Sequence, residues 1–105
     1  MIDPFAGHLA ISSVNFAEVV TKLVESGATG SEIERILAPV GLEVFDADRA
    51  LAFEAAALRT VTRPFGLSLG DRFALALALR LHLPVLTADQ NWGRLDLAVP
   101  IVLIR

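Results

Sequence analysis

Ser68-Leu69-Gly70-Asp71-Arg72, the apolar run Phe73 to Leu79, and Leu83-Pro84-Val85-Leu86-Thr87-Ala88-Asp89 together decide the fold. Asp71 to His82 reads as a helix that is apolar almost all round, which places it at the centre of a domain. Pro84 to Thr87 reads as a short buried strand, with proline tolerated at its first residue. Asp89 then follows the strand's C-terminal end. In a parallel α/β sheet that edge hosts ligand sites.

The same alternation runs through the rest of the chain. His8 to Ser12 reads as a strand. Ser12 or Ser13 offers a helix N-cap, and Val14 to Ser26 has helical periodicity, with Phe16, Val20 and Leu23 on one face. Gly27 is its stop. A second helix, Ser31 to Ala38, has Thr29 or Ser31 as cap and Pro39 as end. Gly41 to Asp46 reads as a strand, and Asp46 as the cap of a long helix, Ala47 to Arg63, closed by Pro64. Phe65 to Leu69 is a loop around Gly66, Asn91 to Leu95 another, and Pro100 to Ile104 a final strand. Strands alternating with helices predict an α/β layer fold with a mainly parallel sheet. The length of 105 residues suits one domain, 1–105.

Composition narrows the chemistry. The chain is 54% apolar and 20% charged, so it has material for a core and is not a disordered segment. The net charge is −3, which gives no general attraction for nucleic acid. The basic residues are eight arginines and Lys22, scattered rather than in a run. Any RNA would be held locally, by metal ions and a few arginines. Without cysteine there is neither a disulfide framework nor a thiolate metal site. A cytoplasmic setting is compatible with that. No apolar stretch is long enough for a bilayer, and the N-terminus lacks the pattern of a signal peptide.

Three acids stand at element ends: Glu18, Asp71 and Asp89. Each has a plain structural explanation. Ser68 and Asp71 match a capping box. Glu18 and Lys22 are spaced as a helical i, i+4 pair, contributing about 0.3 kcal/mol. Asp89-Gln90-Asn91 is good turn chemistry. Asn15, Glu18 and Lys22 nevertheless form a polar stripe on an otherwise apolar helix. Asp48, Glu32, Glu34 and Glu54 read as solvated helix positions. Gathered carboxylates suit Mg²⁺ or Mn²⁺, hard cations that prefer oxygen ligands. Such a site can generate hydroxide from water and stabilise charge on a phosphodiester. It needs no His or Cys.

Ile11 to Glu18, Val44-Phe45-Asp46, Leu67 to Arg72 with its Ala/Leu helix, and Leu83 to Asp89 with Trp92 resemble the PIN domain. The likeness is strongest to VapC-type toxins of bacterial toxin–antitoxin pairs, and it covers nearly all of the chain from Leu9. It implies a three-layer fold, a parallel sheet flanked by helices, and a Mg²⁺- or Mn²⁺-dependent endoribonuclease. Glu18, Asp71 and Asp89 carry over as catalytic, metal-holding acids. Asn15, Thr87 and Arg72 carry over as residues that support the acids or touch substrate. The resemblance also implies an RNA substrate, homodimers and a cognate antitoxin. Family members open with a strand bearing a first acid, whereas eight residues precede Leu9 here. Asp3 is too close to serve, because a parallel crossover needs about a dozen residues. The expectation is an N-terminally shortened fold, with cleavage impaired by the missing acid. The alternatives are a catalytically degenerate module that binds an antitoxin or partner chain, and a plain α/β domain whose acids are caps and turns.

Overall fold

A computed structural model describes residues 9–87 and 101–103. The chain divides into two compact units, Met1–Asp46 and Ala47–Arg105. The elements run β1 (Leu9–Ser12), α1 (Ser13–Glu25), α2 (Gly30–Leu37), β2 (Leu42–Phe45), α3 (Arg49–Ala57), α4 (Arg59–Thr62), α5 (Leu69–Leu81), β3 (Val85–Thr87) and β4 (Ile101–Leu103). Short 3-10 segments at Ala38–Val40 and Arg63–Phe65 close α2 and α4. The α/β expectation holds, and both observed strand pairings are parallel. The predicted strand residue His8, the expected shortened start and the loop at Asn91 to Leu95 lie outside the described residues.

In the first unit β1 pairs with β2, register Leu9↔Leu42 through Ser12↔Phe45. β1 passes straight into α1, and Ser12 is the cap: its hydroxyl accepts the Asn15 N–H at 3.1 Å. Ser12 is fully buried, so the helix end has this hydroxyl in place of solvent. At the other end Gly27 takes a left-handed φ of 95°, and Ala28 N–H reaches back to the Leu23 carbonyl at 3.2 Å. That closes α1 in the usual glycine manner. Thr29 caps α2 in a full capping box with Glu32. The helix therefore starts at Gly30, one residue before the sequence expectation, and Glu32 is a capping residue rather than a merely solvated one. Pro39 ends α2 as expected, inside its 3-10 segment.

The second unit is built on α5 packed against α3. Leu67, Leu75, Ala78 and Val85 form its buried cluster, with Leu58, Phe65 and Leu79 packed around it. α5 buries Phe73, Leu75, Ala76, Leu77 and Ala78, which bears out its predicted central place in this unit. It ends at His82 in a left-handed conformation, φ 55°, where Leu83 N–H reaches the Ala78 carbonyl at 3.1 Å. β3 then pairs with β4, Val85↔Ile101 to Thr87↔Leu103.

The long helix expected over Ala47 to Arg63 is broken. α3 stops at Ala57, and α4 and a 3-10 segment follow. The Leu58 carbonyl accepts from Val61 N–H at 3.2 Å, Thr62 N–H at 3.0 Å and Thr62 Oγ1 at 2.9 Å. Thr60, Val61 and Thr62 are all β-branched, which crowds a helix. Pro64 then removes an N–H and clashes with the carbonyl four residues back. The cap of α3 is also Asp48 and not Asp46: its Oδ1 accepts Leu51 N–H at 2.8 Å. Three residues, Asp46 to Asp48, separate β2 from α3, a spacing that propensity does not specify. Arg80 ties α5 to this cap region, 3.7 Å from Asp48 and 3.3 Å from Glu54. These pairs are half-exposed and contribute at most about 1 kcal/mol.

Glu32 yields a pH prediction. The Thr29 backbone N–H, donating at 2.8 Å, and the Thr29 hydroxyl hold its carboxyl below the ordinary range. A lowered folded-state pKa gives stability that is present above the unfolded value. It is lost as pH falls through the folded value. Wild type is expected to melt above Glu32→Gln at neutral pH, with the gap closing in acid. Thermal midpoints measured across the acid range check this. A constant gap would show that the charge is not the cause.

Candidate functional site

Glu18 sits on α1, one turn beyond Asn15, and is exposed. The Asn15 amide Nδ2 donates to Glu18 Oε1 at 3.0 Å. The Ser12 hydroxyl donates to Asn15 Oδ1 at 2.6 Å. Glu18 thus belongs to a chain of bonds that begins at a buried serine. The i, i+4 pair with Lys22 does not form. Among the described residues the ion pairs are those of Arg80. The sequence offered Ser12 only as one of two possible caps. The spacing Ser12-x-x-Asn15-x-x-Glu18 was the signal that could have singled it out.

Asp71 is at the third position of α5 and partly buried. Ser68 and Asp71 form the predicted capping box: Asp71 N–H donates to Ser68 Oγ at 3.1 Å, and Ser68 N–H donates to Asp71 Oδ2 at 2.9 Å. The box fixes the side chain and commits one oxygen. An acid in the first turn also complements the positive end of the helix dipole. A cap and a functional acid are therefore compatible roles for one residue.

Arg72 turns the other way. Its Nη1 donates to the Ala55 carbonyl at 3.2 Å, in the last turn of α3. A cation there complements the negative end of that helix. Its Nε is buried with no hydrogen-bond partner among the described residues. Thr87 ends β3, and its backbone register is set opposite Leu103. Asp89 lies outside the described residues.

Glu18 belongs to the first unit and Asp71 to the second. Among the described residues no group of three or more His, Asp or Glu side chains gathers as a metal cage. The donor chemistry of the candidate acids still fits a hard divalent cation, since all their ligating atoms are carboxylate oxygens. In the first unit an apolar groove of about 530 Å³ is lined by Phe16, Val20, Val24, Ile33, Leu37 and Val44. No helix among the described residues is long and apolar enough to cross a membrane.

Comparison with known proteins gives one family: the model for the PIN domain matches residues 2–97. No curated protein and no solved structure matches the chain.

The capping box separates two contributions of Asp71. Asp71→Asn keeps an acceptor for Ser68 N–H and loses only the charge, a cost below about 1 kcal/mol. Asp71→Ala also loses the box and is expected to cost more. Urea midpoints of the two variants check the order. Equal losses would mean that the box contributes nothing.

Proposed function

This chain belongs to the PIN-domain family, and on that premise we propose that it is a metal-dependent endoribonuclease of the VapC toxin type. PIN domains are generally metal-dependent nucleases and typically use a divalent metal. The family match carries the proposal. It runs through both compact units, which supports taking 1–105 as one PIN-like domain, a three-layer fold with its sheet flanked by helices.

In this proposal Glu18, Asp71 and Asp89 hold Mg²⁺ or Mn²⁺. The cation supplies water activation and charge neutralisation at a phosphodiester. The chain's own residues prepare the ligands. Asn15 holds Glu18 by one oxygen. Ser68 holds Asp71 by one oxygen, which leaves the other for the cation. Arg72, bonded to the end of α3, is better placed to support α5 than to touch substrate. Thr87 is proposed as a residue that supports the acids or touches substrate.

The partners proposed are RNA, a cognate antitoxin and a second copy of the chain. The apolar groove of the first unit supports a protein partner. Its lining residues Val24 and Val44 are well exposed. The same groove favours a second reading, a PIN-like module that binds its partner without cleaving RNA.

One assay separates the two. Single-stranded RNA is incubated with the chain and Mn²⁺ or Mg²⁺, and with chelator. Cleavage is expected with metal only, and a loss of at least about 100-fold in Glu18→Gln, Asp71→Asn and Asp89→Asn. Mn²⁺ is also expected to raise the thermal midpoint by mass action. A midpoint that does not move, with no cleavage, leaves the binding module standing. Cleavage that survives chelator or all three substitutions contradicts the nuclease assignment.

A further inference from the structure

Ser12, Asn15 and Glu18 are three residues apart on one helix face, and their bonds have a direction. The Ser12 oxygen accepts Asn15 N–H at 3.1 Å, which completes the cap. Its proton then goes to Asn15 Oδ1 at 2.6 Å. An asparagine amide carries an acceptor on one side and two donors on the other. With Oδ1 turned to Ser12, Nδ2 is turned to Glu18, where it donates to Oε1 at 3.0 Å. The opposite amide orientation would set a carbonyl oxygen against the carboxylate, and the bond to Glu18 would be lost.

Capping alone does not require this. The cap is complete once Ser12 accepts the Asn15 N–H, and any residue at position 15 has that N–H. The side-chain bonds are additional, and they end on an exposed glutamate. Such a side chain ordinarily keeps its rotamer freedom, an entropy that ordering must overcome. Here it is tethered through Asn15 to Ser12, which is fully buried and lies in the β1–β2 ladder.

We propose that Ser12 and Asn15 are positioning residues that fix the Glu18 carboxylate before a cation arrives, with Oε1 tied back and Oε2 presented. The inference rests on Glu18 being a cation-holding acid, as proposed above. Neither positioning residue needs a contact with substrate for this. Partners of this kind commonly orient metal-binding carboxylates, and losing one weakens metal affinity by about 10–100-fold.

The test uses the full chain and two readouts. Side-chain scalar couplings of Glu18, measured by NMR without metal, report its rotamers. Mn²⁺ alone, titrated by calorimetry, reports affinity. Wild type is expected to show one Glu18 rotamer. Asn15→Ala cuts the tether and is expected to average the rotamers and weaken Mn²⁺ by about 10-fold or more. Asn15→Asp keeps the acceptor for Ser12 and repels Glu18, so the glutamate should leave its wild-type rotamer. Ser12→Thr retains the hydroxyl and should keep both properties. A Glu18 rotamer unchanged in Asn15→Ala and Asn15→Asp overturns the proposal. So does wild-type Mn²⁺ affinity in Asn15→Ala where Glu18→Gln has lost it. A wild-type chain that binds no Mn²⁺ overturns the cation role of Glu18, and this proposal with it.

Discussion

A strand that becomes a helix within one residue must satisfy the helix's first N–H groups at the junction. At Ser12 it must do so in a fully buried position, with a side chain in place of water. The Ser12 hydroxyl meets that constraint by accepting the Asn15 N–H. Once that bond is set, the start of α1 is set. Asn15 and Glu18 then follow at fixed rotations around the helix. The same device recurs at α5, where Ser68 fixes the first turn and Asp71 with it. Both candidate acids among the described residues are thus held by a serine cap, one directly and one through an amide.

Legibility followed the range of the interaction. α5 was legible because its apolar run is long and Ser68 to Asp71 is a local motif. The helix begins at Leu69, where Ser68 as its cap puts it, two residues before the start at Asp71 that the apolar run suggested, so Leu69 belongs to the helix and not to the expected loop. α1, α2 and the four strands were also readable to within a residue or so wherever they are described. The stretch after β2 was not. Asp46 and Asp48 are both good caps, and only the backbone path after Phe45 selects Asp48. The break at Leu58 depends on several carbonyl and hydroxyl bonds converging at one residue. Composition hints at it through Thr60-Val61-Thr62 and Pro64 but does not place it.

The candidate acids were legible in a different way. Residue type and spacing named Glu18 and Asp71, and the structure adds what holds each of them. The bond from Asn15 to Glu18 replaces the ion pair with Lys22 that spacing also allowed. A neutral amide within hydrogen-bond reach wins over a flexible lysine whose surface pairing contributes little. Arg72 was read beside its neighbour Asp71 as a residue that supports the acids or touches substrate. Its guanidinium instead reaches Ala55, seventeen residues back. Only tertiary packing could reveal that. Family membership then supplies the chemistry that neither cap nor tether implies by itself.

Glu18, Asp71 and Asp89 are proposed to serve one cation. Paramagnetic broadening by trace Mn²⁺ tests it without any RNA or activity. The chain is labelled uniformly, and amide signals are followed as Mn²⁺ is added well below stoichiometry. Signals around all three residues are expected to broaden together and to recover together when excess Mg²⁺ is added. Broadening confined to one acid, separate affinities at each, or none at any of them would contradict it.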